Sequence, residues 1–504
     1  MTELRTPKTL PTRSTVVPAT PAPERPPPVP PDAATSDPPT NLAADPATGA
    51  PVDGAADPSV ALSEFSESEL SKSELSKSEL SAERPVPERA GMFASLRVRN
   101  YRFYAGGQVV SLVGTWMQRI AQDWLVLDLS HNSPVALGVA SALQFTPTLL
   151  FSLWGGVLAD RYDKRRMLLM TQSGMGLCAL VLGLLDVGNL AQLWHVYLLC
   201  LLLGVASSID VPARQAFASE LVGPGQVGNA VALNSMTFNT ARIVGPSVAG
   251  LLITAIGTGW VFLLNAASFV AVLSGMLAMD PKQLFRSPRV PRARGQLVEG
   301  LRYVAGRPVL IGVLALVFVV ATLGINFYLT LPLLARNVFH GDAASYGMLT
   351  TVLAVGSLIG ATFAARRVGR PRLRLVVGAA LVFGVLETVA GLMPTLTSTA
   401  VVLVPTGLAS LVFTTAANSS VQLSIEPSMR GRVMGLYMLV FLGGTPLGAP
   451  LLGLLGEKWG GRAPTVVGGA ASVLAVVVVV LMLRRTLRRR DRVRAGSGVI
   501  STAG

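Results

Sequence analysis

"GGVLADRYDKRRML", residues 155–168, parts two long apolar runs with a burst of charge in which Asp160 stands first and Arg161, Lys164, Arg165 and Arg166 follow. About 20 apolar residues cross a hydrocarbon core of roughly 30 Å as a helix rising about 1.5 Å per residue, so charge between two such runs marks a turn at a membrane surface. Outward from this turn the pattern repeats. Twelve apolar runs are read, over 104–128, 134–159, 167–187, 192–213, 229–256, 259–279, 309–334, 344–365, 373–393, 398–420, 432–456 and 464–484.

Composition agrees with a membrane protein. The 504 residues are 51% hydrophobic and 14% charged, and the mean hydropathy of +0.53 is far above that of a soluble domain. Lys and Arg outnumber Asp and Glu by 42 to 28; cations in cytoplasmic loops account for that surplus without a nucleic-acid partner. Cys178 and Cys200 both fall in apolar runs, and His131, His195 and His340 are scattered, so neither a metal site nor a cofactor is expected. Residues 1–96 are rich in Pro, Ala and Ser and carry the repeat "SESELSKSELSKSEL" at 66–80, which reads as a disordered cytoplasmic tail and not as a secretory signal.

Alternate loops differ in charge, as the positive-inside rule demands. One side carries the cations after Asp160, then Arg214, the run from Lys282 to Arg307, the cluster Arg366 to Arg374, Arg430 with Arg432, and the tail "RRTLRRRDRVR". The other side carries only Arg336, Lys458 and Arg462. Both termini are therefore expected in the cytoplasm. The chain divides into an N-terminal half of six helices (97–280), a basic cytoplasmic loop (281–308), a C-terminal half of six helices (309–484) and a basic cytoplasmic tail (485–504). An internal repeat supports the division: a shift of 203 residues superposes Pro224 on Pro427, Gly228 on Gly431, Leu233 on Leu436, Phe238 on Phe441, Gly245 on Gly448 and Gly250 on Gly453.

Twelve spans in two repeated halves, with Gly156, Asp160 and Arg161 in a G-x-x-x-D-R pattern followed by Lys164 and Arg165, resemble the major facilitator superfamily. "GGQVVSLVGTWMQRIAQDWLVL", "ADRYDKRR" and "VPARQAFASELV" resemble its drug:proton antiporter branch, which includes the enterobactin exporter and macrolide-efflux proteins. "ARIVGPSVAGLL", residues 241–252, is similar to the Gly-Pro motif of exporters in that superfamily: Gly245, Pro246 and Gly250 fit, whereas Ala249 stands where the family often has glycine. Ordinary close packing of small residues and a specific antiport signature both remain open for it. The resemblance implies an all-α fold in which spans one, four, seven and ten line a central cavity. It also implies that Asp160 and Arg161 latch the halves in an outward-facing state; on the same side, the start of span eleven at Arg430 to Arg432 offers Asp160 a positive helix terminus.

A charge at bilayer depth needs a partner or a task. Arg119 with Asp123, and Asp210 with Arg214, are each four residues apart and share a helix face. The second pair reads as part of a gate near Asp160. Asp123 is the candidate proton carrier, with a static ion pair to Arg119 as the alternative. Arg242 lies in mid-span and has three readings: a partner for Asp123, a contact for an anionic substrate, or a donor to carbonyls freed by Pro246. For Glu387, in a span the resemblance makes peripheral, packing or snorkelling is expected. Gln118, Gln144, Asn326, Tyr328, Thr414, Thr415 and Asn418 are candidate cavity liners.

No G-x-x-x-x-G-K-[ST] occurs, so the chain is not itself an ATP-driven motor, and its histidines form no catalytic constellation. The expected function is secondary active transport: proton-coupled efflux of a small lipophilic compound, drug, macrolide or siderophore-like, by alternating access. The expected partners are that substrate, protons and membrane lipid. A nutrient importer or facilitator of the same fold, and a non-transporting membrane scaffold, are the alternatives. Substrate identity and oligomeric state are not read from the sequence.

Overall fold

The computed structural model describes residues 93–285, 296–366 and 371–500. The tail read over 1–96 lies almost wholly outside the described residues, as does part of the basic central loop. Long helices follow the apolar runs closely: α1 Arg99–Leu129, α2 Pro134–Arg161, α3 Lys164–Val187, α4 Leu193–Val222, α5 Val227–Ile256 and α6 Thr258–Leu277. A short linker helix, Gln296–Ala305, precedes α7 Pro308–Val338, α8 Ala343–Ala365, α9 Leu373–Leu392, α10 Leu396–Gln422, α11 Arg430–Trp459 and α12 Ala463–Ile500. The last runs on as helix into the stretch read as a basic tail.

Eleven of these are long and apolar enough to cross a membrane. The twelfth, α1, is 31 residues long but carries Gln108, Gln118, Arg119, Gln122 and Asp123 along its length. Such a helix is stable at bilayer depth only with its polar residues turned into the bundle, and Gln108, Gln118, Gln122 and Asp123 are all buried. Local chemistry sets the helix ends. Ser133 accepts the Ala136 N–H to start α2 with Pro134 in its first turn, Asp163 accepts that of Arg166 to start α3, and Asp342 accepts that of Ser345 to start α8. Gly257 and Gly460, both at φ 86°, end α5 and α11; they are related by the same 203-residue shift, so the repeat extends to the turn that only glycine adopts without strain.

The seventh span, expected over 309–334, is not one continuous α-helix. It is α-helical over Pro308–Val319, widens into a π-turn at Val320–Gly324, loses helical dihedrals at Ile325 and Asn326, resumes at Phe327–Leu333 and closes with a second π-turn at Leu334–Val338. Asn326 bridges the break, its Nδ2 donating to the Thr322 carbonyl at 2.6 Å and more weakly to that of Ala321 at 3.4 Å.

Within the N-terminal half α1 packs on α5 and α6, α2 on α4, and α3 on α4 and α6; in the C-terminal half α8 packs on α10, α9 on α10 and α12, and α7 on α11 and α12. Two further contacts join the halves, α2 on α11 and α5 on α8. Both depend on small residues. A methyl added at Gly250 would lie 2.8 Å from the Ala343 carbonyl, and one at its repeat mate Gly453 would lie 2.7 Å from the Pro134 carbonyl. Lipid is as apolar as the helices it surrounds, so backbone approach of this kind is what binds them.

The buried apolar residues form three clusters. One draws on both halves, with Ile120, Leu137, Ala249, Tyr346 and Leu452 among its members, and lies toward the end opposite the cationic loops. The other two lie toward the cationic end and belong to one half each: Leu168, Phe217 and Met276 in the first half, Phe383, Phe413 and Val476 in the second. The halves are therefore joined at the far end and separate at the basic end.

Candidate functional site

A cavity of about 320 Å³ is lined by residues of all six helices of the N-terminal half and, from the C-terminal half, by Tyr328 of α7. Its central feature is Arg119, whose guanidinium lies 4.2 Å from the ring centre of Tyr328 and 4.7 Å from that of Phe145. Trp116 stands beside Phe238 at 5.7 Å and Tyr328 at 6.3 Å between ring centres, completing an aromatic wall to which both halves contribute. A desolvated cation over aromatic faces gains about 2 kcal/mol, which helps an arginine persist at this depth. Its Nε and Nη2 are buried and have no hydrogen-bond partner among the described residues.

Asp123 lies one helical turn beyond, 1% exposed, its Oδ2 4.0 Å from Arg119 Nε. The closer partner is Tyr346 of α8, whose hydroxyl donates to the same oxygen at 2.8 Å. The carboxyl thus links one half to the other. Gln122 donates to Gln144 at 2.9 Å, and Asn265 donates to Gln118.

Asp210 and Arg214 belong to the wall of this cavity. Asp210 is wholly buried and accepts from Thr171 Oγ1 at 2.9 Å, from Gln172 Nε2 at 2.7 Å and from Arg214. None of these bonds involves Asp160. Arg242 does not pair with Asp123 either: its Nη2 donates to Ser357 Oγ of α8 at 3.4 Å. Of the remaining candidates, Gln118, Gln144 and Tyr328 line the cavity, while Thr414, Thr415 and Asn418 line a second one of about 300 Å³ with Tyr437 and Phe441. Asn326 is occupied with the break in α7. Glu387 is 1% exposed, which rules out snorkelling.

The Gly-Pro motif serves two surfaces. A methyl at Gly245 would collide with Trp116 of the aromatic wall, whereas Gly250 lies against Ala343 and Gly347 of α8. Ser247 Oγ and Thr351 Oγ1, 2.7 Å apart, add a polar contact beside them.

At the basic end Asp160 and Arg161 are exposed, and among the described residues Asp160 has neither an ion-pair nor a hydrogen-bond partner. Gly156, one turn earlier, is half-buried. Arg432, in the first turn of α11, pairs instead with Glu299 of the linker helix at 2.6 Å. Lys164 and Arg165 do more than mark topology: Lys164 pairs with Glu220 at 2.5 Å, and Arg165 donates to the Met276 and Leu277 carbonyls that end α6. At the far end Arg336 pairs with Asp128 at 2.6 Å and lies 4.6 Å over Trp124. Asn337 donates to the Asn132 carbonyl and Ser133 to Glu457, so three polar contacts cross between the halves there. Glu220, Tyr346 and Asp128 were not singled out in the sequence. Glu220 at least had a signal, an acid ending a span opposite the basic turn.

Residues 90–497 match the transmembrane secretion effector family of the major facilitator superfamily. The chain belongs to this family. The family and its relatives are transporters, so the protein is a multi-pass membrane transporter and not an enzyme. It is 27% identical over 266 residues to the staphyloferrin A transporter of Staphylococcus aureus, covering 51% of this chain and 65% of that protein. With the enterobactin exporter EntS of Escherichia coli it shares 28% identity over 352 residues, 69% of this chain and 83% of the exporter. The fold is similar to that of a bacterial homologue of the human lysosomal transporter Spinster, at TM-score 0.60 and 16% identity over 77% of this chain and 97% of that one. A bacterial homologue of the iron transporter ferroportin gives TM-score 0.61 and 16% identity over 77% and 98%.

Proposed function

We propose that this family member exports a small amphipathic compound from the cytoplasm in exchange for protons, by alternating access between its halves. The basic end, with both termini, faces the cytoplasm of the bacterial inner membrane. The conformation described above is then open inward and closed outward.

One observation supports the reading most: Arg119, with unfilled N–H donors among aromatic rings, adjoins Asp123, which the opposite half holds through Tyr346. The rings and the guanidinium suit a ligand with flat apolar surface and an anionic or hydrogen-bond-accepting group. The two relatives are named for staphyloferrin A and enterobactin, which makes those compounds the first candidates to try. When the halves rock, Asp123 parts from Tyr346 and meets water, which gives a proton a route on and off. The Gly-Pro motif lets α5 and α8 stay in contact during that motion, and Asp160 with Arg161 engages the start of α11 when the inner end closes.

Inside-out vesicles energised with a proton gradient test this. Enterobactin, staphyloferrin A or erythromycin is expected to dissipate the gradient in wild type and not in Asp123→Asn. Dissipation in both would keep antiport and remove Asp123 from the coupling path.

A further inference from the structure

Glu387 has no part in the site described so far, yet its setting is unusual. Both carboxyl oxygens are buried and without a hydrogen-bond partner among the described residues. An ionised carboxylate without partners at bilayer depth costs several kcal/mol, and one that persists there is a candidate for function. Two glycines make room for it: a methyl at Gly324, the last residue of the first π-turn in α7, would lie 3.1 Å from Oε2, and one at Gly468 of α12 would lie 3.3 Å from Oε1.

No fixed countercharge is at hand. Residues 396–422 of α10 and 463–483 of α12 include no charged residue, and the charge in α7 is Arg336, committed to Asp128. Arg374, in the first turn of α9, is exposed more than three turns away. Arg462, nearer the other end of α9, donates to the Gly391 and Met393 carbonyls. Ser472, beside Gly324, donates to the Gly468 carbonyl.

The helix that covers Glu387 is the one that is broken. Along α7, Gly324 touches the carboxyl, Tyr328 covers Arg119 in the cavity and Arg336 holds the outer end. A π-turn followed by two non-helical residues is where such a helix bends with least loss of hydrogen bonding. Both residues lie in the C-terminal half, so a bend of α7 at this break, and not rigid rocking alone, is what would shift Gly324 against Glu387.

We propose that Glu387 is a second proton-binding site of the transport cycle, closed in the present conformation and opened to proton exchange when α7 shifts at its break. The carboxylate takes a proton from water, carries it as O–H while dry, and returns it to water when the cover lifts. This rests on the proton-coupled reading above.

Infrared spectra of the purified full chain in lipid, titrated with acid and base alone, test the protonation. The expected result is a carboxylic-acid carbonyl band at neutral pH that persists in Asp123→Asn, disappears in Glu387→Gln and shifts in Glu387→Asp. A wild-type spectrum whose neutral-pH band is indifferent to Glu387 would overturn the proposal, and the Asp variant keeps this decisive if the Gln variant fails to fold. Vesicle transport of whichever of enterobactin and erythromycin the wild type exports tests the coupling. Glu387→Gln should lose about tenfold in gradient-driven transport while downhill exchange stays within about twofold. Equal proton flux in wild type and Glu387→Gln would overturn the role of Glu387; export by wild type without any proton flux would instead overturn the antiport reading.

Discussion

Tyr346 of α8 donates a 2.8 Å hydrogen bond to Asp123 of α1, so a buried carboxyl in one half is held by a hydroxyl from the other. Losing such a bond costs about 1–3 kcal/mol when the remaining partner stays buried. Tyr346→Phe and Asp123→Asn should each lower the unfolding midpoint in detergent, and the double variant should be little worse than the more damaging single one. Additive losses in that cycle would show that the two groups act independently.

The contact between Arg336 and Asp128 should bias the conformational equilibrium. The pair is half-exposed and contributes at most about 1 kcal/mol as charges, and the approach of Arg336 to Trp124 adds about 0.5–1 kcal/mol. Arg336→Ala should therefore raise the outward-open population about tenfold, as read from distances between spin labels on the loops at 130–133 and 460–463. Exchanging the two charges, Asp128→Arg with Arg336→Asp, should restore much of the closed population. A distance distribution unchanged in Arg336→Ala would deny the pair this role.

Substrate affinity should follow the ring at position 328 and not its hydroxyl. Tyr328→Phe keeps a face for Arg119 and should transport with a nearly unchanged half-saturating concentration; Tyr328→Ala should raise it about tenfold or more. Concentration dependence of uptake into inside-out vesicles distinguishes them. Equal effects of the two variants would point to the hydroxyl instead.

Asp160→Asn should leave the stability of the conformation described here within about 0.5 kcal/mol, because the side chain is exposed and unengaged in it, and should still slow transport. Glu299→Gln should act in the opposite sense by freeing Arg432 for Asp160. The two variants are compared by the rate of cysteine cross-linking between the ends of α2 and α11. A Glu299→Gln protein that cross-links no faster than wild type would remove the competition between the two acids.

Much of this fold is legible in residue order, because hydropathy and loop charge act locally: the expected and observed ends of α2, α5, α8 and α9 differ by two residues or fewer. The repeat is legible for a similar reason, since Gly250 and Gly453 answer the same demand for close approach. What escapes is what depends on distant partners or on a subtle change of helical pitch. Tyr346 is an isolated tyrosine until α8 meets α1. The break in α7 lies in "VATLGIN", residues 320–326, where Thr322 and Asn326 are the polar residues of an apolar run and nothing in hydropathy separates a π-turn from an α-turn. Among the cavity charges, the arrangement of Asp210 with Thr171 and Gln172 joins separate helices, so helical spacing finds Arg214 but not the rest.

The two cores at the basic end share no residue, so each is built within one half and only the far-end core needs both. The cluster of Leu168, Phe217 and Met276 draws on residues from Leu96 to Leu284, and that of Phe383, Phe413 and Val476 on the C-terminal half together with the linker helix. A chain severed within residues 286–295 loses none of that cover. Two fragments made separately in one cell should therefore insert, recognise each other through the glycine contacts of α2 with α11 and α5 with α8, and work as a two-chain transporter.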